Sequence, residues 1–206
     1  SGSQVLLLVV KPQDLEALLD QIKSRISSDT LIISFVAGKK MNKISAALGG
    51  ANPIVRVMPN TPALVGKGAA GYSFNETANY HQKVFVSDLL NAAGIAVEVA
   101  EDLQDAVTAT SGSGPAYFFA FVEAMVKGAQ KLGLSEADAN ELVVQTLIGA
   151  AELLATTGKS ATTLRENVTS PNGTTFAALQ SFAKDDLEQM VARAMQAARD
   201  RSIELS

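Results

Sequence analysis

Two short strings carry hydroxyls and glycines at spacings that suit a small anion. Thr110-Ser111-Gly112-Ser113-Gly114-Pro115-Ala116-Tyr117 leads a Ser/Gly segment into helical spacing, with Pro115 in the first turn. First-turn N–H groups, serine hydroxyls and the close approach that glycine permits would hold an anion there, while capping and tight helix packing account for the same residues equally well. Asn167-Val168-Thr169-Ser170-Pro171-Asn172-Gly173-Thr174-Thr175 opens a second helix with threonine and serine hydroxyls and free N–H groups. That set suits a small carboxylate, against the plainer reading of a capped turn.

Other chemistries are poorly supplied. The single histidine, His81, lies among Asn79, Gln82 and Lys83 and reads as solvated. That argues against histidine acid–base catalysis and against a histidine metal site, and no metal is expected. The absence of cysteine excludes thiolate nucleophiles and zinc thiolates, and fits a cytoplasmic setting. Glu101, Asp102 and Asp105 cluster in mid-chain, either as first-turn helix charges or as ligand contacts. Gly66-Lys67-Gly68-Ala69-Ala70-Gly71 matches G-x-G-x-x-G letter for letter. It follows a proline loop and precedes the β-like Tyr72-Ser73-Phe74, so it reads as a turn into an edge strand rather than a pyrophosphate turn.

The elements that must position these strings change type halfway along the chain. Apolar runs at Gln4–Val10, Leu31–Val36 and Ile54–Met58 read as strands of a parallel sheet buried on both faces. Helical spacing follows from Leu15 to Ile26, over Met41–Leu48 and over Thr77–Ala93. Gly68–Phe74 and Ile95–Val99 complete a doubly wound α/β pattern, and Pro59-Asn60-Thr61-Pro62 reads as loop. Beyond about Glu101 strand signals vanish. Helices are expected from Pro115 to Leu132, over Glu136–Thr156 behind a Ser135/Asp138 capping box, over Ser160–Asn167 and Thr174–Phe182, and from Leu187 onward. Residues 1–100 thus read as an α/β domain and residues 101–206 as an all-α one. Glu136–Thr156 is apolar around most of its circumference, which either a second copy of the chain or a central place among the other helices would cover.

Composition narrows the partners. At 206 residues and 47% hydrophobic content, the chain is long enough to bury a core, and no apolar run reaches membrane-spanning length. A formal charge of −4 with no Lys/Arg cluster disfavours nucleic acid and anionic membranes as partners.

Taken together, Val10-Lys11-Pro12, Ala37-Gly38, Arg56-Val57-Met58-Pro59-Asn60-Thr61-Pro62, Ser111-Gly112-Ser113-Gly114-Pro115-Ala116-Tyr117 and Asn167-Val168-Thr169-Ser170-Pro171-Asn172-Gly173-Thr174-Thr175 resemble the bacterial-type pyrroline-5-carboxylate reductases. The resemblance runs in order over essentially the whole chain. It implies a partial Rossmann-like sheet followed by an all-α dimerisation domain. It implies hydride transfer from NAD(P)H, with NADPH favoured over NADH, to 1-pyrroline-5-carboxylate, giving L-proline as the last step of proline biosynthesis. It further implies homodimers, assembled in the family into decamers.

Site roles follow from the same resemblance. Val9, Val10, Lys11 and Pro12 would border the nicotinamide nucleotide, as would Phe35, Val36, Ala37 and Gly38 at the next strand end. Asn60 and Asn167 would also reach the cofactor. Thr174 and Thr175 would hold the substrate carboxylate, and Thr175 or an ordered water would manage the imine-nitrogen proton. Glu101, Thr108, Ser111, Gly112, Ser113, Gly114, Ser170 and Gly173 would complete the substrate site. Against the family pattern, roughly 60 residues carrying the Gly-rich first strand–turn–helix are expected to be lacking, at about 30 per β-α unit. A chain without them would bind cofactor poorly. Two alternatives stay open: a non-catalytic helical oligomerisation module derived from such a reductase, and a β-hydroxyacid-type dehydrogenase with Lys127 as proton donor.

Overall fold

Short runs of Leu, Ile and Val form strands because helices cover both faces of the sheet they build. The computed structural model describes residues 3–205. Strands β1 (Val5–Leu8), β2 (Leu31–Ser34), β3 (Ile54–Met58), β4 (Gly68–Phe74) and β5 (Gly94–Glu98) lie in that order across one sheet. Helices α1 (Leu15–Ile22) and α2 (Met41–Leu48) connect β1 to β2 and β2 to β3, and α3 (Tyr80–Asn91) connects β4 to β5. Alternation along each strand sorts the core. Leu8, Ile32 and Ile54 pack with Leu15, Leu19, Met41 and Ile44 from α1 and α2. Ile33, Val55 and Val57 pack with Val86 and Leu90 of α3.

The sheet departs from the sequence-based expectation in two ways. It is parallel except between β3 and β4, which run antiparallel. And β4 is an interior strand, paired with β3 on one side and β5 on the other. Its small residues suggested an edge, but they are small because neighbours press on them. A Cβ on Gly71 would sit 2.5 Å from Val107 Cγ1, and one on Gly68 would sit 2.9 Å from Ala63 Cβ.

Several boundaries also move inward. Val9 and Val10 leave the ladder after Leu8, as Pro12 starts a 3-10 turn over Pro12–Asp14. β2 stops at Ser34, whose Oγ accepts the Val36 N–H that the ladder would otherwise use. α1 ends at Ile22, and Ile26 packs on the core from the turn beyond. Thr61–Val65 is a 3-10 turn rather than open loop, because Pro62 falls in the first turn, where no N–H is needed. α3 starts at Tyr80 behind an Asn79/Gln82 capping box.

The remainder is helical: α4 (Gln104–Val107), α5 (Gly114–Lys131), α6 (Glu136–Thr156), α7 (Ala161–Asn167), α8 (Thr174–Lys184) and α9 (Leu187–Glu204). Ser135 Oγ accepts the Asp138 N–H as the cap of α6, and Ser160 Oγ accepts the Thr163 N–H as the cap of α7. Among the described residues no helix is long and apolar enough to cross a membrane. The chain divides into two compact units. One is Ser1–Pro115 with Met195–Ser206, and the other is Ala116–Ala194. In the second unit only Ala139 and Val143 are buried among the described residues. Large apolar side chains of α6 stay half exposed there, including Leu142 at 57% and Ile148 at 55%.

Candidate active site

Within the sheet unit, the parallel register puts Leu8 opposite Ser34 and Ser34 opposite Arg56. The carboxyl ends of β1, β2 and β3 therefore lie side by side, the position at which open α/β sheets bind ligands. Val9–Pro12, Phe35–Gly38 and Asn60 all follow these three ends. Val9 is 71% exposed, Phe35 is half-buried and Val36 is buried. A cavity of about 260 Å³ at this edge is lined by Leu7, Phe35, Pro59, Asn60, Ala69 and Ile95, among others. Gly38 has φ of +71°, and a Cβ on it would lie 3.0 Å from the Leu205 carbonyl oxygen. A side chain there would be strained by the left-handed backbone and would press on Leu205, just past the end of α9. Gly38 is buried beneath Leu205, while Val9 leaves an apolar side chain open at the strand ends.

The Thr110–Gly114 string is helical rather than an open loop. Thr108–Gly112 forms a π-helical turn between α4 and α5, with the Ser113 N–H donated to the Thr108 carbonyl at 2.8 Å. Extra residues inserted in this way recur at functional sites. The turn uses groups that the sequence left free. Thr108 Oγ1 donates to the Gln104 carbonyl at 2.9 Å, and Ser111 Oγ donates to the Val107 carbonyl at 3.2 Å. Gly112 faces the Met58 side chain, whose Cε would lie 2.7 Å from a Cβ placed there.

The mid-chain acidic cluster serves the sheet unit as well. Glu101 Oε1 accepts the Met41 N–H at 2.6 Å, at the first turn of α2, and lies 3.8 Å from Arg56 Nη1. Asp105 Oδ1 lies 3.9 Å from Arg56 Nη2 and accepts the Ser202 hydroxyl at 2.6 Å. Sequence reasoning gave neither Arg56 nor Ser202 a role. The available signal was a lone cation inside the apolar string Ile54-Val55-Arg56-Val57-Met58, since a charge in a doubly covered strand requires partners.

In the helical unit, Gly173 precedes α8 with no side-chain cap, so the first N–H groups at Thr174 and Thr175 stay available. Thr174 is exposed and Thr175 half-buried. A Cβ on Gly173 would meet Ser170 Oγ, which would have to rotate away, and would press on the Ser170 carbonyl oxygen at 3.2 Å. Thr169 does not join the cluster, because its hydroxyl donates to the Arg165 carbonyl at 2.6 Å. Asn167 is exposed at the end of α7. A cavity of about 490 Å³ nearby is lined by Arg165, Thr169, Phe176 and Glu188 among others, and includes none of Asn167, Ser170, Thr174 or Thr175. Among the described residues no group of three His, Asp or Glu side chains is arranged to hold a metal.

A mostly parallel sheet covered by helices on both faces, followed by further helices, is a Rossmann-type fold. The family model for pyrroline-5-carboxylate reductase dimerisation matches residues 101–205. The pyrroline-5-carboxylate reductase of Pseudomonas aeruginosa is 43% identical over 207 residues, covering 100% of this chain and 76% of that protein. That of Haemophilus influenzae is 44% identical over 205 residues, covering 98% and 76%. The solved pyrroline-5-carboxylate reductase from Coxiella burnetii has a TM-score of 0.93 at 38% identity, covering 100% of this chain and 77% of that one. The Plasmodium falciparum pyrroline carboxylate reductase with NADP bound has a TM-score of 0.90 at 36% identity, covering 98% and 77%. The chain belongs to the pyrroline-5-carboxylate reductase family.

Proposed function

We propose that this protein reduces 1-pyrroline-5-carboxylate to L-proline, the last step of proline biosynthesis, with a nicotinamide cofactor. Family membership along the full chain carries this reading. The cofactor supplies a hydride for the C=N carbon. NADPH is favoured over NADH, supported by the NADP bound in the Plasmodium relative. Residues 1–100 serve the cofactor, through Val9–Pro12, Phe35–Gly38 and Asn60, with Asn167 added from the helical half. Residues 101–206 serve the substrate and association of copies. Bare helical faces support a homo-oligomer, for which the family expectation is a dimer, assembled into decamers, in the cytoplasm.

Thr174 and Thr175 bind the substrate carboxylate through the uncapped first turn of α8, where hydroxyl and N–H groups act together with the helix dipole. The Ser111–Gly114 segment, Thr108, Glu101, Ser170 and Gly173 shape the rest of the substrate site. The imine is basic enough to be protonated, and the Thr175 hydroxyl or an ordered water manages that proton. Catalysis is then mainly positioning of the iminium carbon, which needs no histidine.

Two measurements test the reading. The chain joined to the Gly-rich first strand–turn–helix of the family is expected to oxidise NADPH only when pyrroline-5-carboxylate is present, and to do so faster than the chain alone. Thr175→Val is expected to raise the substrate KM by roughly five- to a hundredfold, equivalent to 1–3 kcal/mol for a lost polar partner. No turnover by either the chain or the joined protein would favour a non-catalytic oligomerisation module, and an unchanged KM in the variant would remove Thr175 from the site.

A further inference from the structure

Pro115 breaks the hydrogen-bond ladder next to the proposed substrate segment. In a continuous helix the carbonyl of Ser111 would accept the N–H of residue 115, and proline has none. Asn60 Nδ2 donates to the Ser111 carbonyl instead, at 3.1 Å. The other end of the same amide is also engaged, since Asn60 Oδ1 accepts the Ala69 N–H at 2.8 Å at the start of β4. Two residues earlier, the Met58 side chain seats against Gly112. The segment leaving β3 thus meets the π-helical turn at consecutive residues, 111 and 112.

We infer that Asn60 is a positioning residue for the substrate segment. It replaces the hydrogen bond that Pro115 removes and fixes the path of Ser111–Gly114 against the sheet. This rests on the proposed reductase reading only insofar as Ser111–Gly114 touches substrate. The clamp itself is a property of the fold. Asparagine suits the position because it presents one acceptor and one donor on a short, planar group. Aspartate keeps the acceptor for Ala69 but sets a carboxylate against the Ser111 carbonyl. Leucine or alanine would leave both backbone groups without their partner.

The test uses Asn60→Ala, Asn60→Asp, which keeps only the Ala69 acceptor, and Pro115→Ala, which returns an N–H within reach of the Ser111 carbonyl. Amide hydrogen exchange over residues 108–116, with no ligand added, is expected to speed up about tenfold in either Asn60 variant. The KM for pyrroline-5-carboxylate is expected to rise about tenfold as well, and to rise further than the KM for NADPH, which Asn60 is also proposed to border. Adding Pro115→Ala to Asn60→Ala should recover most of both losses, a coupling that a general loss of stability would not show. Unchanged exchange over 108–116, or strictly additive effects of the two substitutions, would overturn the clamp. A rise confined to the NADPH KM would do the same and make Asn60 a direct cofactor contact. Hydrogen exchange reads the clamp without turnover, so failure of both the chain and the joined protein to use pyrroline-5-carboxylate would count against the reductase reading alone.

Discussion

The sheet unit buries Ile32, Ile33, Ile54 and Val55 completely, whereas α6 of the helical unit leaves Leu142, Ile148 and Leu153 more than half exposed. Both stretches are apolar, so composition does not separate them. What differs is the cover. Each sheet face has its own helices, contributed within about 90 residues of one chain, and alternation sends every second side chain to a face already closed. The helices of the other unit show apolar side chains over much of their circumference and hide only Ala139 and Val143 among the described residues. Covering one such leucine or isoleucine is worth about 1.5–3 kcal/mol. One unit therefore closes its core with its own chain, and the other leaves apolar faces that the proposed second copy would cover.

The strongest way to break this contrast is to charge the bare face. Leu142→Asp combined with Ile148→Asp adds two carboxylates to α6, and burying each unpaired charge would cost several kcal/mol. Light scattering is expected to show a monomer, and the melting temperature of the parent protein, unlike that of the variant, should rise with protein concentration. If the variant keeps the parent's mass and melting behaviour, α6 is not part of the interface.

The same contrast explains what could be read from sequence. β3, β4, α2 and α6 have the bounds expected of them, because period-2 and period-3.6 patterns, Ser135 and the glycines mark their ends locally. The interior place of β4 was hidden, because its glycines and alanines fit neighbours that sequence does not reveal. The π-helical turn was read as loop, since Ser and Gly suggest both and only the Ser113-to-Thr108 bond distinguishes them. The least legible part was the charge cluster. Ser202 and Asp105 are 97 residues apart in sequence, and nothing near either one announces the other. Strand-end loops were legible at Gly38 and Asn60, but the amide partners of Asn60 depend on tertiary contacts at Ala69 and Ser111.

That charge cluster sharpens the comparison from the sheet side. Arg56 is 4% exposed and answers both Glu101 and Asp105. Arg56→Met fills a similar volume but strands Asp105, whose side chain is only 12% exposed. Removing one partner of a buried pair costs about 3–5 kcal/mol. Urea unfolding should show that loss, and it should be the same at low and high protein concentration, because all its contacts lie within one chain. A concentration-dependent loss would mean that the sheet unit, too, draws stability from association. A loss below about 1 kcal/mol would mean that solvent already satisfies the two carboxylates.

The smallest expected effect is at His81. It is exposed at the second position of α3, and its described ring contact is with Tyr80, at 5.8 Å between centroids. The residues that fasten this helix to the sheet, Val86 and Leu90, lie on its other side. His81→Ala should change unfolding free energy by less than about 0.5 kcal/mol, as for surface substitutions away from special features. Turnover should also hold, because proton management is assigned to a hydroxyl or an ordered water. A tenfold fall in kcat with unchanged stability would contradict that assignment. It would move the proton step to the imidazole and place chemistry on the outer face of the sheet unit, away from its strand ends.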